Sequence, residues 1–347
     1  MLDSAEYFMK RSLQLAKKGI NTVAPNPMVG CVITIPDETA AFGERIIGEG
    51  YHKEYGGPHA EVNAIDSVAG RLQLRQATVY VSLEPCSHFG KTPPCANLLV
   101  ECGVKKVVVA CLDPNPAVAG NGLARLEAAG IETVVNVLQT EAEELNRRFI
   151  TFHTKKRPYV ILKWAETQNG YVANADGSPK WISNPRCRQL VHKWRSETAA
   201  IMAGSQTIIN DNPTLNSRDW AGPSPVRVVT DWRRRLAEGA TVLSDGAKTL
   251  IYNSVQSKVA ESVEYVKVAE HDIRAILTDL HKRNLNSLFV EGGSTLLQQF
   301  INQNLWDETY VFIGDGHIEK GVGAPVIANK DFDQLRIDNN ILKTYRQ

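Results

Sequence analysis

A chain of 347 residues, 43% apolar and 22% charged with a net charge of +1, has room for two domains of ordinary size, each able to bury a core. Near-neutrality and an aromatic content of 7% weigh against a nucleic-acid groove, which requires a basic excess and stacking rings. No apolar run is long enough to span a bilayer, the N-terminus lacks the apolar stretch of a signal peptide, and six cysteines in this length do not make a disulfide framework, so the expected compartment is the cytoplasm, with reduced thiols free to bind metal.

Asp3 and Glu6 suit a capping box for a helix that runs to Lys18 and stops at Gly19. Val29–Ile35 reads as a buried strand and Arg45–His52 as its partner. A helix begins at His59, just after Pro58. Thr78–Leu83 is a strand that runs into the loop PCSHFGKTPPC, from Pro85 to Cys95. A helix over Ala96–Cys102 leads through Gly103 into a strand over Lys105–Cys111. A short helix, Gly122–Gly130, and a strand, Ile131–Leu138, follow. The alternation implies an α/β layer structure.

Charges cluster in HTKKRPY (His153–Tyr159), where a domain boundary is expected, giving domains 1–153 and 154–347. The clearest later strands are YVILKW, AAIMAG (Ala199–Gly204), VRVVTD (Val226–Asp231), KTLIY (Lys248–Tyr252), SLFVEGG (Ser287–Gly293) and ETYVFI (Glu308–Ile313). The two halves do not resemble each other, and no internal repeat is visible.

The chemistry of the first half concentrates in His59, Glu61, Cys86 and Cys95. One His and two Cys suit zinc, and three protein ligands leave a fourth position for water, as catalytic zinc requires. Zinc lowers the pKa of that water towards ~7, and Glu61 is the candidate proton shuttle beside it. Residues i and i+2 of a helix point about 200° apart, so His59 as ligand and Glu61 as general acid/base is the natural division. A structural zinc with His88 as fourth ligand, a disulfide, and two incidental buried thiols are the other readings of these residues.

HAE (His59–Glu61) followed by PC (Pro85–Cys86) resembles the zinc-deaminase signature, but the second Cys comes after eight residues rather than two. The longer loop, Glu84 through Cys95, is similar throughout to that of the riboflavin-pathway pyrimidine deaminases. That resemblance implies substrate contacts at Asn26 in APNPMVG, at His52, at Lys91 on the loop, and at Asp113 and Asn115 in DPNP. A cation at Lys91 would meet a substrate phosphate.

In the second half, VEGGSTLLQQF (Val290–Phe300) is a strand, a Gly pair and a helix N-terminus, which can receive a phosphate but is weak evidence alone. It is not a G-x-G-x-x-G motif. YVILKWAETQNGYVA, KWIS, INDNPTL and VEGGS, in this order, resemble the reductase domain of the bifunctional riboflavin-biosynthesis family, which is similar in fold to dihydrofolate reductase and uses NADPH. The resemblance implies substrate contacts at Lys163, Arg195, Asp211, Leu215, Arg218 and Glu291, and cofactor contacts at Trp181, Thr207, Asp211 and the Gly293–Gln299 turn, including Ser294 and Thr295. Arg195 and Arg218 would each suit a bidentate phosphate contact. The chain departs from the family pattern at TQNG (Thr167–Gly170) and at Pro179, which leaves a deaminase with an impaired reductase half as one alternative. The arginines of DWRRRL (Asp231–Leu236) are either an exposed turn or a preference for NADPH over NADH.

The expected protein is therefore a cytidine-deaminase-like αβα domain joined to a dihydrofolate-reductase-like α/β domain. The resemblance implies one zinc ion per chain, NADPH, a phosphorylated pyrimidine ribosylamine as substrate, and no nucleic-acid or membrane partner; a homo-oligomer is expected. A nucleic-acid-editing zinc deaminase with an accessory domain is the rival from a different class.

Overall fold

The computed structural model describes residues 3–87, 93–115, 119–178, 182–328 and 330–347. The chain divides into two units, Met1–Lys155 and Lys156–Gln347.

In the first unit, α1 (Ser4–Ala16) starts where the Asp3 carboxylate accepts from the Glu6 N–H at 2.8 Å, satisfying one of the free donors of the first turn. β1 (Gly30–Pro36) and β2 (Glu44–Tyr51) follow as an antiparallel pair. Then come α2 (Ala60–Asp66), β3 (Thr78–Val81), α3 (Cys95–Cys102), β4 (Lys106–Val109), α4 (Asn121–Ala128), β5 (Glu132–Val134), α5 (Gln139–Leu145) and α6 (Arg147–Lys155). The sheet order is β2-β1-β3-β4-β5, with β3, β4 and β5 parallel. Alternate strand residues sort to opposite faces, as the pleat demands. Ile33, Val79, Val81, Val107 and Val109 pack with Ala64, Leu99 and Leu126 of α2, α3 and α4. Val32, Tyr80 and Val108 pack with Phe8, Leu13, Ala142 and Phe149 of α1, α5 and α6. The unit is a three-layer αβα sandwich. At Gly50 a Cβ would lie 2.3 Å from the Ala64 nitrogen, so glycine is what lets α2 lie against β2.

Two features depart from the sequence reading. The strand expected to reach Leu138 stops at Val134, because Asn136 and Leu138 take left-handed backbone with φ of 65° and 55°. The stretch after it, for which no element is expected, forms α5 and α6.

The second unit begins with β6 (Tyr159–Thr167) and β7 (Tyr171–Asn174), then α7 (Pro185–Ser196), β8 (Ala200–Gly204), α8 (Ser205–Asp211), β9 (Val226–Thr230) and α9 (Thr241–Ser244). It continues with β10 (Thr249–Asn253), β11 (Lys258–Ala260), β12 (Val263–Lys267), α10 (Ile273–Lys282), β13 (Ser287–Val290) and α11 (Ser294–Asn302). β14 (Glu308–Gly314), β15 (Gly321–Gly323), β16 (Asp333–Ile337) and β17 (Asn340–Arg346) complete it. Ten strands lie in the order β11-β12-β10-β9-β8-β13-β6-β14-β17-β16, parallel from β12 to β14 and antiparallel at both edges. Val160, Leu162, Met202 and Val290 pack under α10 and α11. Tyr159, Ile161, Ala203 and Phe289 pack with residues of α7, α8 and α9 on the other face. The central strands are thus covered on both faces, and their sequences are predominantly apolar, with runs such as Tyr159–Leu162 and Ala200–Ala203. β11 and β16 are exposed edges with polar residues, which is why they carry little sequence signal.

The TQNG departure does not disturb its turn. The Asn169 carboxamide oxygen accepts from Thr167 Oγ1 at 2.9 Å and from the Ile318 N–H at 3.3 Å, and its nitrogen donates to the Ile318 carbonyl at 2.8 Å. Gly170 supplies the positive φ, 80°, that joins β6 to β7.

Candidate active sites

β3 and β4 are parallel neighbours, and the loops leaving their carboxyl ends carry the first site, where open α/β sheets place ligands. His59 is the N-cap of α2, with extended backbone, so it stands just outside the helix while Glu61 lies in its first turn. Cys86 follows β3, and Cys95 is the first residue of α3. His59 Nδ1 is 3.6 Å from Cys86 Sγ and 3.3 Å from Cys95 Sγ. The three donor atoms lie within 4.8 Å of one another, the only such group found among the described residues. One imidazole and two thiols are a donor set that fits zinc.

The electrostatics favour the thiolate at Cys86. The Cys95 N–H, at the start of α3, donates to Cys86 Sγ at 3.3 Å, and the Ala96 N–H donates to the Cys86 carbonyl at 3.1 Å. The Cys86 thiol is pulled well below its ordinary value, first by its hydrogen bond with the Cys95 thiol and then by His59. Cys95 is pushed up as the partner that keeps its proton. Glu61 is 3% exposed and lies against the Cys95 thiol. Burial, and next the charge on Cys86, raises its carboxyl to about 7.

His52 and Asn26 form a second group close by. The His52 and His59 rings are 5.3 Å apart, edge to face. His52 Nδ1 lies 3.0 Å from the Pro58 carbonyl, which accepts its proton, and Nε2 lies 3.1 Å from Asn26 Nδ2. Burial lowers the His52 pKa, favouring the neutral ring, and the two partners fix its tautomer. Asn115 donates its N–H to Asp113 Oδ1 at 2.8 Å in the loop after β4. Lys91 and His88 lie outside the described residues.

One residue of this region escaped assignment in the sequence. Glu84 is 4% exposed and its carboxylate accepts from the N–H groups of Asp113, Gly120 and Gly122, at 3.2, 3.0 and 3.0 Å. Its place immediately before Pro85 and Cys86 was the only available signal.

In the second unit, β13 pairs Val290 with Leu162 of β6, which sets Glu291 beside Lys163. Glu291 Oε1 and Oε2 accept from Arg195 Nε and Nη2 at 2.5 and 2.8 Å, and Lys163 Nζ is 4.0 Å from Oε2. Burial would raise the Glu291 carboxyl, but Arg195 and Lys163 together hold it below its ordinary value. Burial lowers the Lys163 ammonium. Arg195 Nη1 also donates to the Asn216 carbonyl at 2.9 Å. The fork of Arg195, expected to receive a substrate phosphate, is therefore occupied by Glu291, which was expected to touch substrate itself. Arg218 is different: its side chain is half exposed, and Nη1 donates at 3.3 Å to Thr214 Oγ1.

Leu215 is 3% exposed and belongs to the core, with a φ of 51°, so it can offer a ligand only backbone. Asp211 ends α8 on the exposed side. Thr207 stands against the Gly pair: a Cβ on Gly292 would meet its Oγ1 at 3.2 Å and the Ala203 Cβ at 2.9 Å. Gly293, with φ 69°, caps α11, and Ser294 Oγ donates to the Gly323 carbonyl at 2.6 Å. Ser294 and Thr295 line an open groove of about 360 Å³ that continues along α11 past Gln298. Trp181 and Pro179 lie outside the described residues. Of the DWRRRL arginines, Arg235 is tied to Ser205 Oγ at 2.8 Å, Arg234 covers the Tyr265 ring, and Arg233 is exposed beside Glu270. His192 was not anticipated: its buried ring sits 3.1 Å from both the Asn216 carbonyl and Asp219 Oδ2. It holds the segment that carries Arg218.

Residues 2–111 match the cytidine and deoxycytidylate deaminase zinc-binding region, and residues 158–341 match the RibD C-terminal domain. The riboflavin biosynthesis protein RibD of Aquifex aeolicus is 38% identical over 322 residues, 91% of this chain and 88% of that protein. The Escherichia coli protein of the same name is 37% identical, covering 89% of this chain and 87% of that one. Two solved structures superpose over 99% of this chain and 98% of theirs: Acinetobacter baumannii RibD, with a TM-score of 0.88 and 34% identity, and a Thermotoga maritima diaminohydroxyphosphoribosylaminopyrimidine deaminase/5-amino-6-(5-phosphoribosylamino)uracil reductase, with 0.87 and 37%. With a zinc-deaminase half and a reductase half in one chain, and this similarity over nearly its whole length, the chain belongs to the RibD family of bifunctional riboflavin-biosynthesis enzymes.

Proposed function

We propose that the first unit hydrolytically deaminates 2,5-diamino-6-(5-phosphoribosylamino)pyrimidin-4(3H)-one, and that the second reduces the ribosyl group of the product to ribityl. The observation that carries this reading is the convergence of His59, Cys86 and Cys95 with one buried carboxyl, Glu61, against them. Zinc held by His59, Cys86 and Cys95 would supply a water acidified to a pKa of ~7.

Glu61 is placed to accept that water's proton on its carboxylate and to hand it to the ring nitrogen and the departing ammonia. Its buried place against the Cys95 thiol sets one carboxyl where it can do both. Neutral His52, with Nδ1–H committed to Pro58, orients the Asn26 amide towards the pyrimidine. Asp113, Asn115 and Lys91 are the further substrate contacts that the family resemblance implies, with Lys91 suited to the phosphate.

In the second unit, bound NADPH would supply the hydride for reduction at C1′ of the opened sugar. The Gly292–Gly293 turn and the free N–H groups of α11 suit its phosphates, with Thr207, Ser294 and Thr295 at the same turn. Arg218 binds the substrate phosphate, while Glu291 pairs with Arg195 and offsets part of the burial penalty on the Lys163 ammonium beside the reacting carbon. The intact Thr167–Gly170 turn supports an active reductase over an impaired one.

Glu61→Gln is the test. The variant should keep zinc and lose ammonia release by roughly 100-fold or more, while NADPH oxidation on the deaminated intermediate persists. Undiminished ammonia release would remove Glu61 from the mechanism.

A further inference from the structure

Glu84 joins two loops that the deamination requires in register. Its backbone N–H donates to the Cys111 carbonyl at 3.0 Å, extending the β3–β4 alignment by one residue past Ser82 and Leu83. From there its side chain crosses to the segment between β4 and α4. Oε2 accepts from the Asp113 and Gly120 N–H groups, and Oε1 accepts from the Gly122 N–H. Gly120 is the N-cap of α4 and has no side chain to cap with, so Glu84 supplies from another loop the anion that a helix start favours. Gly122 leaves no alternative packing: a Cβ there would lie 2.0 Å from the Pro85 carbonyl oxygen and 3.1 Å from Glu84 Oε1. One carboxylate thus spans Asp113 at one end of the segment and the start of α4 at the other, two residues from the Cys86 ligand.

We infer that Glu84 is a positioning residue for the deaminase substrate: it fixes the Asp113–Asn115 turn at the correct distance from the Cys86 loop. This rests on the proposed deaminase reading and adds to it a residue that touches neither metal nor substrate. Glu84 fixes the Asp113 amide, and Asp113 Oδ1 in turn fixes the Asn115 amide. Loss of the clamp should weaken ground-state binding of the pyrimidine more than it slows the chemistry. Glu61 and Cys95 sit on α2 and α3, His59 caps α2, and only Cys86 shares the Glu84 loop, where the Cys95 and Ala96 N–H groups hold it independently.

Glu84→Gln is nearly isosteric but replaces one acceptor oxygen with a donor that faces N–H groups. KM for the diaminopyrimidine substrate should rise roughly tenfold, as expected for losing a charge-assisted hydrogen bond, with kcat within about threefold and zinc content unchanged. Asn115→Ala should raise KM by itself, and in that background Glu84→Gln should add less than about twofold, since both act through one turn. Glu84→Asp keeps the charge but falls a methylene short; it should show an intermediate KM and provides the measurement if the Gln variant does not fold. An unchanged KM in the folded variants, zinc loss accompanying the KM rise, an inert Asn115→Ala, or full additivity of the pair would each overturn the inference. Wild-type protein that binds zinc but releases no ammonia would instead overturn the deaminase reading.

Discussion

Glu291→Gln isolates the buried charge cluster of the reductase unit. The Glu291 and Arg195 side chains are 9% and 12% exposed, so solvent screens their bidentate pair little. Lys163, 4.0 Å away, depends on the same carboxylate. The substitution keeps shape, leaves no cavity, and strands two cations. Removing one partner of a buried pair costs about 3–5 kcal/mol; the Asn216 carbonyl still accepts from Arg195, which points to the lower end, about 3 kcal/mol. At roughly 2–4 °C per kcal/mol for a unit of this size, its melting temperature should fall by about 6–12 °C.

All six tryptophans lie in the second unit, so intrinsic tryptophan fluorescence follows its melting without signal from the first. The pH dependence carries a definite sign. Glu291 is held below its ordinary 4.5, so its stabilisation is complete above that pH and is lost as pH falls through the lower folded value. The gap between wild type and variant should therefore stay constant from about pH 8 to 5 and narrow below about 4.5. A melting shift under about 2 °C, or a gap that widens in acid, would show that the pair does not contribute as its geometry requires.

Removing zinc with a chelator should abolish ammonia release while NADPH oxidation on the deaminated intermediate and the tryptophan-reported melting stay unchanged; parallel loss of both activities would contradict independent sites. Arg218→Ala should raise the reductase KM for the phosphorylated substrate roughly tenfold to hundredfold with kcat nearly constant, and the wild-type advantage should shrink with added salt. An unchanged KM would assign the phosphate elsewhere.

The zinc site was legible because its chemistry is local in residue type: few roles other than metal binding bring together a His, a Glu two positions on and two cysteines around a prolyl loop. The central strands were legible for a similar reason, since burial on both faces leaves uninterrupted runs such as Tyr159–Leu162 and Ala200–Ala203. The edges β11 and β16 were not, because half-solvated strands carry ordinary polar sequence. Nor was the early end of β5, which left-handed backbone at Asn136 and Leu138 decides.

Partnership between distant side chains is what only the tertiary structure settled. Arg195 carries the residue type of a phosphate ligand, and in the fold its Nε and Nη2 donate to Glu291, 96 positions away. Glu84 and His192 look like ordinary polar residues in sequence, and each acquires its role only when a loop from another strand comes within hydrogen-bond reach. Residue type and spacing determined which chemistry this chain can perform. Which groups are free to perform it, and which are held by their neighbours, depended on through-space pairing that no linear spacing encodes.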